Sequence, residues 1–243
     1  MANRKSVRVK THPALMAVWA ALIAVASLLP AIPVIGTGAT FSISDVMIPL
    51  AGVLFGPWAG AIAAGIGGLI GQLIAPHTVI FGPFQFILAM LGAACAGFAM
   101  QRKWFIPIAV TILFGIVWYF SPLGQAAWFT PIGYLVGVIA ALVGWFWGGK
   151  WISSPNRGLM FAGVFLTTLS GIVCTWSAGN FWALLMFALP KEVWAAVLVI
   201  APVQRILFAL GAAIVGTPLL IGLPKISIPV GQMIYESEKE EED

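Results

Sequence analysis

The sequence predicts an all-α fold, a polytopic bundle of membrane helices, and three observations predict it. Of the 243 residues, 61% are hydrophobic and only 8% are charged, which leaves a water-soluble domain too little polar surface to cover itself. The apolar residues come in runs close to the ~20 that an α-helix needs to cross the hydrocarbon core. The charges gather at the ends and in the breaks: Arg4, Lys5, Arg8 and Lys10 precede the first run, and YESEKEEED closes the chain. Beside a membrane span a basic tail sets orientation, so no nucleic-acid partner is expected. Cys95 and Cys174 both lie in apolar runs and form neither a disulfide framework nor a metal-ligand spacing.

Taken in order, the first span covers 13–35. It is too long for the apolar region of a signal peptide and is read as retained. The second, 45–56, is short and ends at the Gly56-Pro57 turn; the third covers 58–75. A loop at 76–83 leads to span four, 84–100, closed by Gln101-Arg102-Lys103. Spans five and six cover 104–121 and 127–148, and a loop at 149–158 carries Lys150 and Arg157. Span seven is 159–178. Pro190, Lys191 and Glu192 interrupt the next stretch, so 180–201 reads as a broken hairpin, re-entrant or interfacial. The final span, 203–223, ends before Pro224-Lys225. This divides the chain into a basic cytoplasmic tail (1–12), a transmembrane domain of eight spans (13–225) and an acidic cytoplasmic tail (226–243). With both termini in the cytoplasm, every basic loop except that of Lys191 falls on the cytoplasmic side, as the positive-inside rule requires. A multi-pass protein of the plasma membrane is expected, in contact with lipid.

Ionisable residues inside a membrane are costly, so each is a candidate site. Asp45 follows Ser42 and Ser44 at a helix start, where it either caps the helix or meets a donor on a ligand. Arg205, beside Gln204, opens the last span. It either snorkels or pairs with Glu192, or it clamps an acceptor with its guanidinium fork. His77 lies in the loop after Pro76. Gln72, Gln85, Thr175 and Asn180 are suited equally to bonding a ligand and to tying helices together. Phe41, Trp118, Tyr119, Phe120, Trp128, Phe129, Trp176, Phe181 and Trp182 crowd the outer side. Most belong to an interfacial aromatic belt, and a few are suited instead to stack on a flat ring, without a signal in the sequence for which. The chain has no P-loop, no HExxH and no paired acids within a span. Ser170 lacks a histidine in a later span to serve as base. An enzyme is not expected, and neither is a metal or cofactor.

Small residues recur at intervals of four. In span one these are Ala17 with Ala21 and Ala20 with Ala24; in span three, Gly67 with Gly71. Such stripes let a second helix approach closely, either within the bundle or on another membrane subunit.

With these features the chain resembles the substrate-binding S-components of energy-coupling factor (ECF) transporters. The alanines of span one resemble the family's AxxxA-type face. ISDVMIPLAGVLFGP resembles its second helix with the Gly-Pro turn, GPFQFILAMLGAACAG its fourth helix, and APVQRILFALGAAIVGTPLL its last. The resemblance implies a six-helix core, to which this chain adds one helix pair within 104–178. It implies capture of a vitamin or similar cofactor precursor in a pocket near the outer face, lined by the loops after spans one, three and seven and by the tops of the later helices. Asp45, Arg205, Gln204, Gln85, His77, Trp176 and Asn180 are the candidate ligand contacts. Ala17, Ala20, Ala21 and Ala24 are the candidate docking face for a transmembrane T-component, which works with two cytoplasmic ATPase subunits. The start Met-Ala-Asn lacks the histidine of the nickel and cobalt members, so no metal is carried over. A self-sufficient secondary transporter and a ligand-free structural membrane protein are the alternatives.

Overall fold

The structure, a computed structural model, describes residues 12–231. It is a helical bundle with one short β-hairpin. Helix α1 (Pro13–Ser27) leads into strands β1 (Pro30–Pro33) and β2 (Thr40–Ser42), which pair antiparallel. Helices α2 (Ser44–Phe55), α3 (Pro57–Ile74), α4 (Phe86–Met100) and α5 (Phe105–Trp118) follow. A short α6 (Pro122–Ala126) then precedes a 3-10 turn at Thr130–Tyr134. Helix α7 (Leu135–Val143) continues through a π-helical turn, Gly144–Gly148, into α8 (Gly149–Ile152). Two long helices, α9 (Arg157–Met186) and α10 (Lys191–Gly222), complete the bundle.

Among the described residues, five helical stretches are long and apolar enough to cross a membrane, and α1, α2 and α5 are shorter apolar helices. The eight apolar elements correspond one to one with the eight spans read from the sequence, and the all-α membrane class holds. Two boundaries are corrected. Span one does not run to 35: α1 ends at Ser27, and the segment carrying Pro30, Pro33, Gly36 and Gly38 turns back as the hairpin. Gly36 and Gly38 adopt positive φ (81° and 74°), which favours glycine and lets the strands reverse. The stretch 180–201 is not a broken hairpin either. Helix α9 continues to Met186, only four residues separate it from α10, and α10 begins at Lys191. Pro190 stands at the cap position in extended backbone, where a proline starts a helix rather than breaking one. Pro202 lies inside α10 and costs the helix one backbone hydrogen bond without ending it.

Helix α2 lies among α1, α3, α4, α9 and α10; α9 in turn carries α5 and α7 on its other side. The base of α2 is held by backbone contact. A Cβ at Gly52 would lie 1.8 Å from the Ala93 carbonyl oxygen of α4, and one at Gly97 would lie 2.5 Å from Pro57 N. Leu50, Ala51, Val53 and Leu54 are fully buried there. At the same end Val230 is buried and Gly231 N–H donates to Leu54 O (2.9 Å), so residues 226–231 fold back under α2. The remaining parts of the two expected tails, 1–11 and 232–243, lie outside the described residues.

Candidate ligand-binding site

At the opposite end of the bundle, where α2, α4 and α10 begin and α9 ends, the helices surround a partly open cavity of about 750 Å³, counting the space open to solvent. Its walls come from the hairpin (Val34, Ile35, Thr37, Phe41), the start of α2 (Asp45), the 76–84 loop (Ile80, Phe81), Leu88 of α4, and facing stripes of α9 and α10. On α9 the stripe is Thr175, Trp176, Gly179, Asn180 and Ala183; on α10 it is Trp194, Val197, Ala201, Gln204 and Arg205. Both follow the three- and four-residue spacing of a single helix face. A second cavity of about 650 Å³ adjoins the first and shares Phe41, Asp45, Ile80, Phe81, Leu88 and Thr175 with it. That lobe is richer in hydroxyls, with Ser27, Thr40, Ser42, Ser44 and Thr78 on its wall.

Arg205 is the polar centre of the first cavity. It is only 8% exposed, and among the described residues it makes neither a hydrogen bond nor a salt bridge; its Nε is buried without a partner. The guanidinium lies over the Phe41 ring (4.3 Å to the centroid) and near the Trp176 ring (5.8 Å). Stacking of this kind partly offsets the loss of water around a buried cation but leaves its N–H groups unsatisfied. The expected alternative pairing with Glu192 does not occur: Glu192 is exposed in the first turn of α10, thirteen residues away along the helix. Asp45 faces the same cavity, and its Oδ2 accepts the Ser42 N–H (3.0 Å), tying the end of β2 to the start of α2.

Neighbouring side chains fix this geometry. Asn180 Nδ2 donates to Tyr134 Oη (3.1 Å), and the Tyr134 ring stands edge-on to Trp176 at 5.0 Å. The 3-10 turn before α7 thereby orients the binding face of α9. Gln204 Nε2 donates to Pro33 O over a long 3.4 Å, linking α10 to the hairpin. Thr175 Oγ1 donates to Leu88 O (3.2 Å) where α9 meets α4.

Of the seven candidate ligand contacts, the structure brings Asp45, Trp176, Asn180, Gln204 and Arg205 onto the wall of the first cavity, and Gln85 onto the second. The side chain of Gln85 is fully engaged in shaping the 76–84 loop: Oε1 accepts from Ile80 N (2.6 Å) and Phe81 N (3.0 Å), and Nε2 donates to Thr78 O (2.9 Å). His77 is exposed in the turn Pro76–Thr78 and lines neither cavity. The candidate docking residues also separate. Ala17 and Ala21 are exposed on α1, whereas Ala20 and Ala24 are buried; a Cβ at Gly67 of α3 would lie 2.7 Å from Ala20 O. The four alanines therefore form two faces, one turned inward to α3 and one outward.

Trp194 and Phe81 are cavity residues that sequence reasoning missed. Trp194 was hidden by reading 180–201 as interrupted. Extending the α10 stripe from Arg205 back through Ala201 and Val197 reaches it at helical spacing. Phe81 stacks on Trp182 (6.1 Å, 12° between planes) and had no periodic signal, because it sits in a loop.

An aromatic cavity holding a buried guanidinium without a hydrogen-bond partner has the features of a small-molecule site in a membrane protein. Residues 8–120 match the family model for the ECF-type riboflavin transporter, S component. This match, over just under half of the chain, bears out the resemblance to ECF S-components, and the five long apolar helices are those of a multi-pass membrane protein. No curated protein and no solved structure matches the chain at a significant level.

Proposed function

We propose that this chain is an S-component that captures a flat, ring-bearing vitamin or cofactor precursor in the Arg205 cavity from the outer face of the membrane. Riboflavin, for which the matching family is named, is the first candidate. The observation that carries the reading is Arg205, a buried guanidinium without a hydrogen-bond partner in a cavity walled by Phe41, Phe81, Trp176 and Trp194. A ring stacks on such walls, and an acceptor on its edge supplies what Arg205 lacks. Asp45, on the same wall, suits a ring N–H, and Asn180 and Gln204 add amide groups. Gln85 acts by shaping the loop that carries Ile80 and Phe81, and His77 stands outside the walls.

The orientation rests on charge. Arg102, Lys103, Lys150 and Arg157 lie at the end opposite the cavity, which supports a cytoplasmic position for that end and an outward-facing cavity mouth. Uptake then requires a T-component and two cytoplasmic ATPase subunits, with Ala17 and Ala21 as the outward docking face.

Riboflavin binding to the detergent-purified chain, followed by quenching of flavin fluorescence, tests the reading. The wild type is expected to bind, and Arg205→Ala to lose about a hundredfold in affinity while melting no lower than the wild type. If the wild type binds neither riboflavin nor any small molecule retained through purification and visible by native mass spectrometry, the capture role fails. Equal affinity in Arg205→Ala would remove Arg205 from the site.

A further inference from the structure

Among the described residues six buried side-chain donors have no partner: the hydroxyls of Thr40, Thr130 and Thr217, and three N–H groups, Arg205 Nε, Trp194 Nε1 and Trp104 Nε1. Their settings differ. Trp104 lies away from both cavities, with its ring set against Gly144 and Gly148, where a Cβ would come within 2.3 Å and 2.7 Å of it. Trp194 is 1% exposed, yet it lines the same cavity as Arg205. The two residues are eleven apart on α10, three helical turns, so they stand on one face at separate heights along the cavity. The Trp194 ring is held edge-to-face against Trp118 at 4.8 Å. Trp118 has its own N–H satisfied by Gly124 O (2.9 Å) and Ala127 O (3.2 Å). The clamp fixes the Trp194 ring and offers its N–H no oxygen or nitrogen acceptor. A native fold leaves few buried donors unpaired, and one on a ligand-sized cavity is satisfied when the cavity fills.

We propose that Trp194 is a specificity-determining residue whose indole N–H donates to the bound molecule. The cavity then selects ligands with two separated acceptors, one at Arg205 and one three turns away at Trp194. This rests on the capture role proposed above and deepens it. Trp194 and Arg205 both lie outside the part of the chain that matches the family model, so the match assigns neither. A molecule with a single acceptor leaves one donor buried and unpaired, and a site built around hydrogen bonds rejects such a molecule strongly.

The test compares Trp194→Phe with Trp104→Phe, which loses the same indole away from the cavity. Riboflavin affinity and the melting temperature of the ligand-free protein are measured for the wild type and both variants. Trp194→Phe is expected to bind about 5–30-fold more weakly, while Trp104→Phe binds as the wild type does. Ligand-free Trp194→Phe is expected to melt no lower than Trp104→Phe, because the N–H it removes bonds to nothing in the empty protein. Unchanged affinity in Trp194→Phe, with or without a drop in melting temperature, overturns the proposal. Equal losses of affinity in the two variants also overturn it, since the effect is then general loosening. If the wild type binds no riboflavin, the functional reading has failed first, and the role of Trp194 is withdrawn with it.

Discussion

The two ends of the bundle are built on opposite terms. At the end holding the α2–α3 turn, helices touch backbone to backbone through Gly52, Gly60 and Gly97, and Leu50, Ala51, Val53 and Leu54 are wholly enclosed. Even the C-terminal carbonyl of Leu54 receives a donor, from Gly231. At the other end α9 and α10 stand apart around empty space, and Arg205 Nε and Trp194 Nε1 are buried without partners. One end gives up side chains to gain close approach, as membrane helices do when no hydrophobic effect drives them together. The other gives up contacts and hydrogen bonds around the cavity. Close backbone packing is concentrated at the first end, and stability is expected to follow it.

The largest effect that would break this contrast comes from Gly52. A side chain there has no room beside the Ala93 carbonyl, and α2 cannot move away without losing α3, which meets it through Gly60. Gly52→Leu is expected to cost more than about 3 kcal/mol and to abolish a monodisperse folded peak in detergent. A variant that purifies and melts like the wild type would show that the base is not the stabilising end.

The tight end was legible in the sequence, and the open end was legible only in part. Gly56-Pro57 and the Gly/Ala runs around it announce a close helix pair, because only small residues permit it. Asp45, Gln204 and Arg205 stood out because a polar group in an apolar run is costly wherever it lies. Trp176 and Phe41 were visible as aromatics, but an aromatic belt accounts for most such residues, and only the fold shows which two flank Arg205. Trp194 was lost because Pro190-Lys191-Glu192 reads as a break. That triplet is in fact a helix start, with proline before the first turn and an acid within it. Pro30 and Pro33 were absorbed into span one by hydropathy alone. Their pairing with Thr40–Ser42 depends on a register that composition does not encode.

The next effect in size separates docking from capture. Ala17 and Ala21 are exposed while Ala20 and Ala24 pack on α3, so the two faces of α1 can be altered independently. Ala17→Leu with Ala21→Leu is expected to reduce recovery of a co-expressed T-component and ATPase module by about tenfold, a change of 1.4 kcal/mol. Riboflavin affinity and melting temperature should stay at wild-type values. Undiminished recovery would move the docking surface elsewhere on the bundle.

The smallest effect concerns the loop that both cavities share. Gln85 holds Thr78, Ile80 and Phe81 through three hydrogen bonds, and Ile80 and Phe81 lie on both cavity walls. Removing the amide frees the loop without opening the core, because no other part of the bundle depends on those bonds. Each contributes about 0.5–1.5 kcal/mol, and part of that is recovered as water replaces the lost partner. Gln85→Ala is therefore expected to speed riboflavin dissociation about 3–10-fold, with little change in melting temperature. Amide hydrogen exchange at 78–81 should rise in the ligand-free protein. A fall in affinity without faster exchange at those amides would mean that Gln85 touches the ligand itself. The two cavities would then be parts of a single site, with Gln85 in its second lobe.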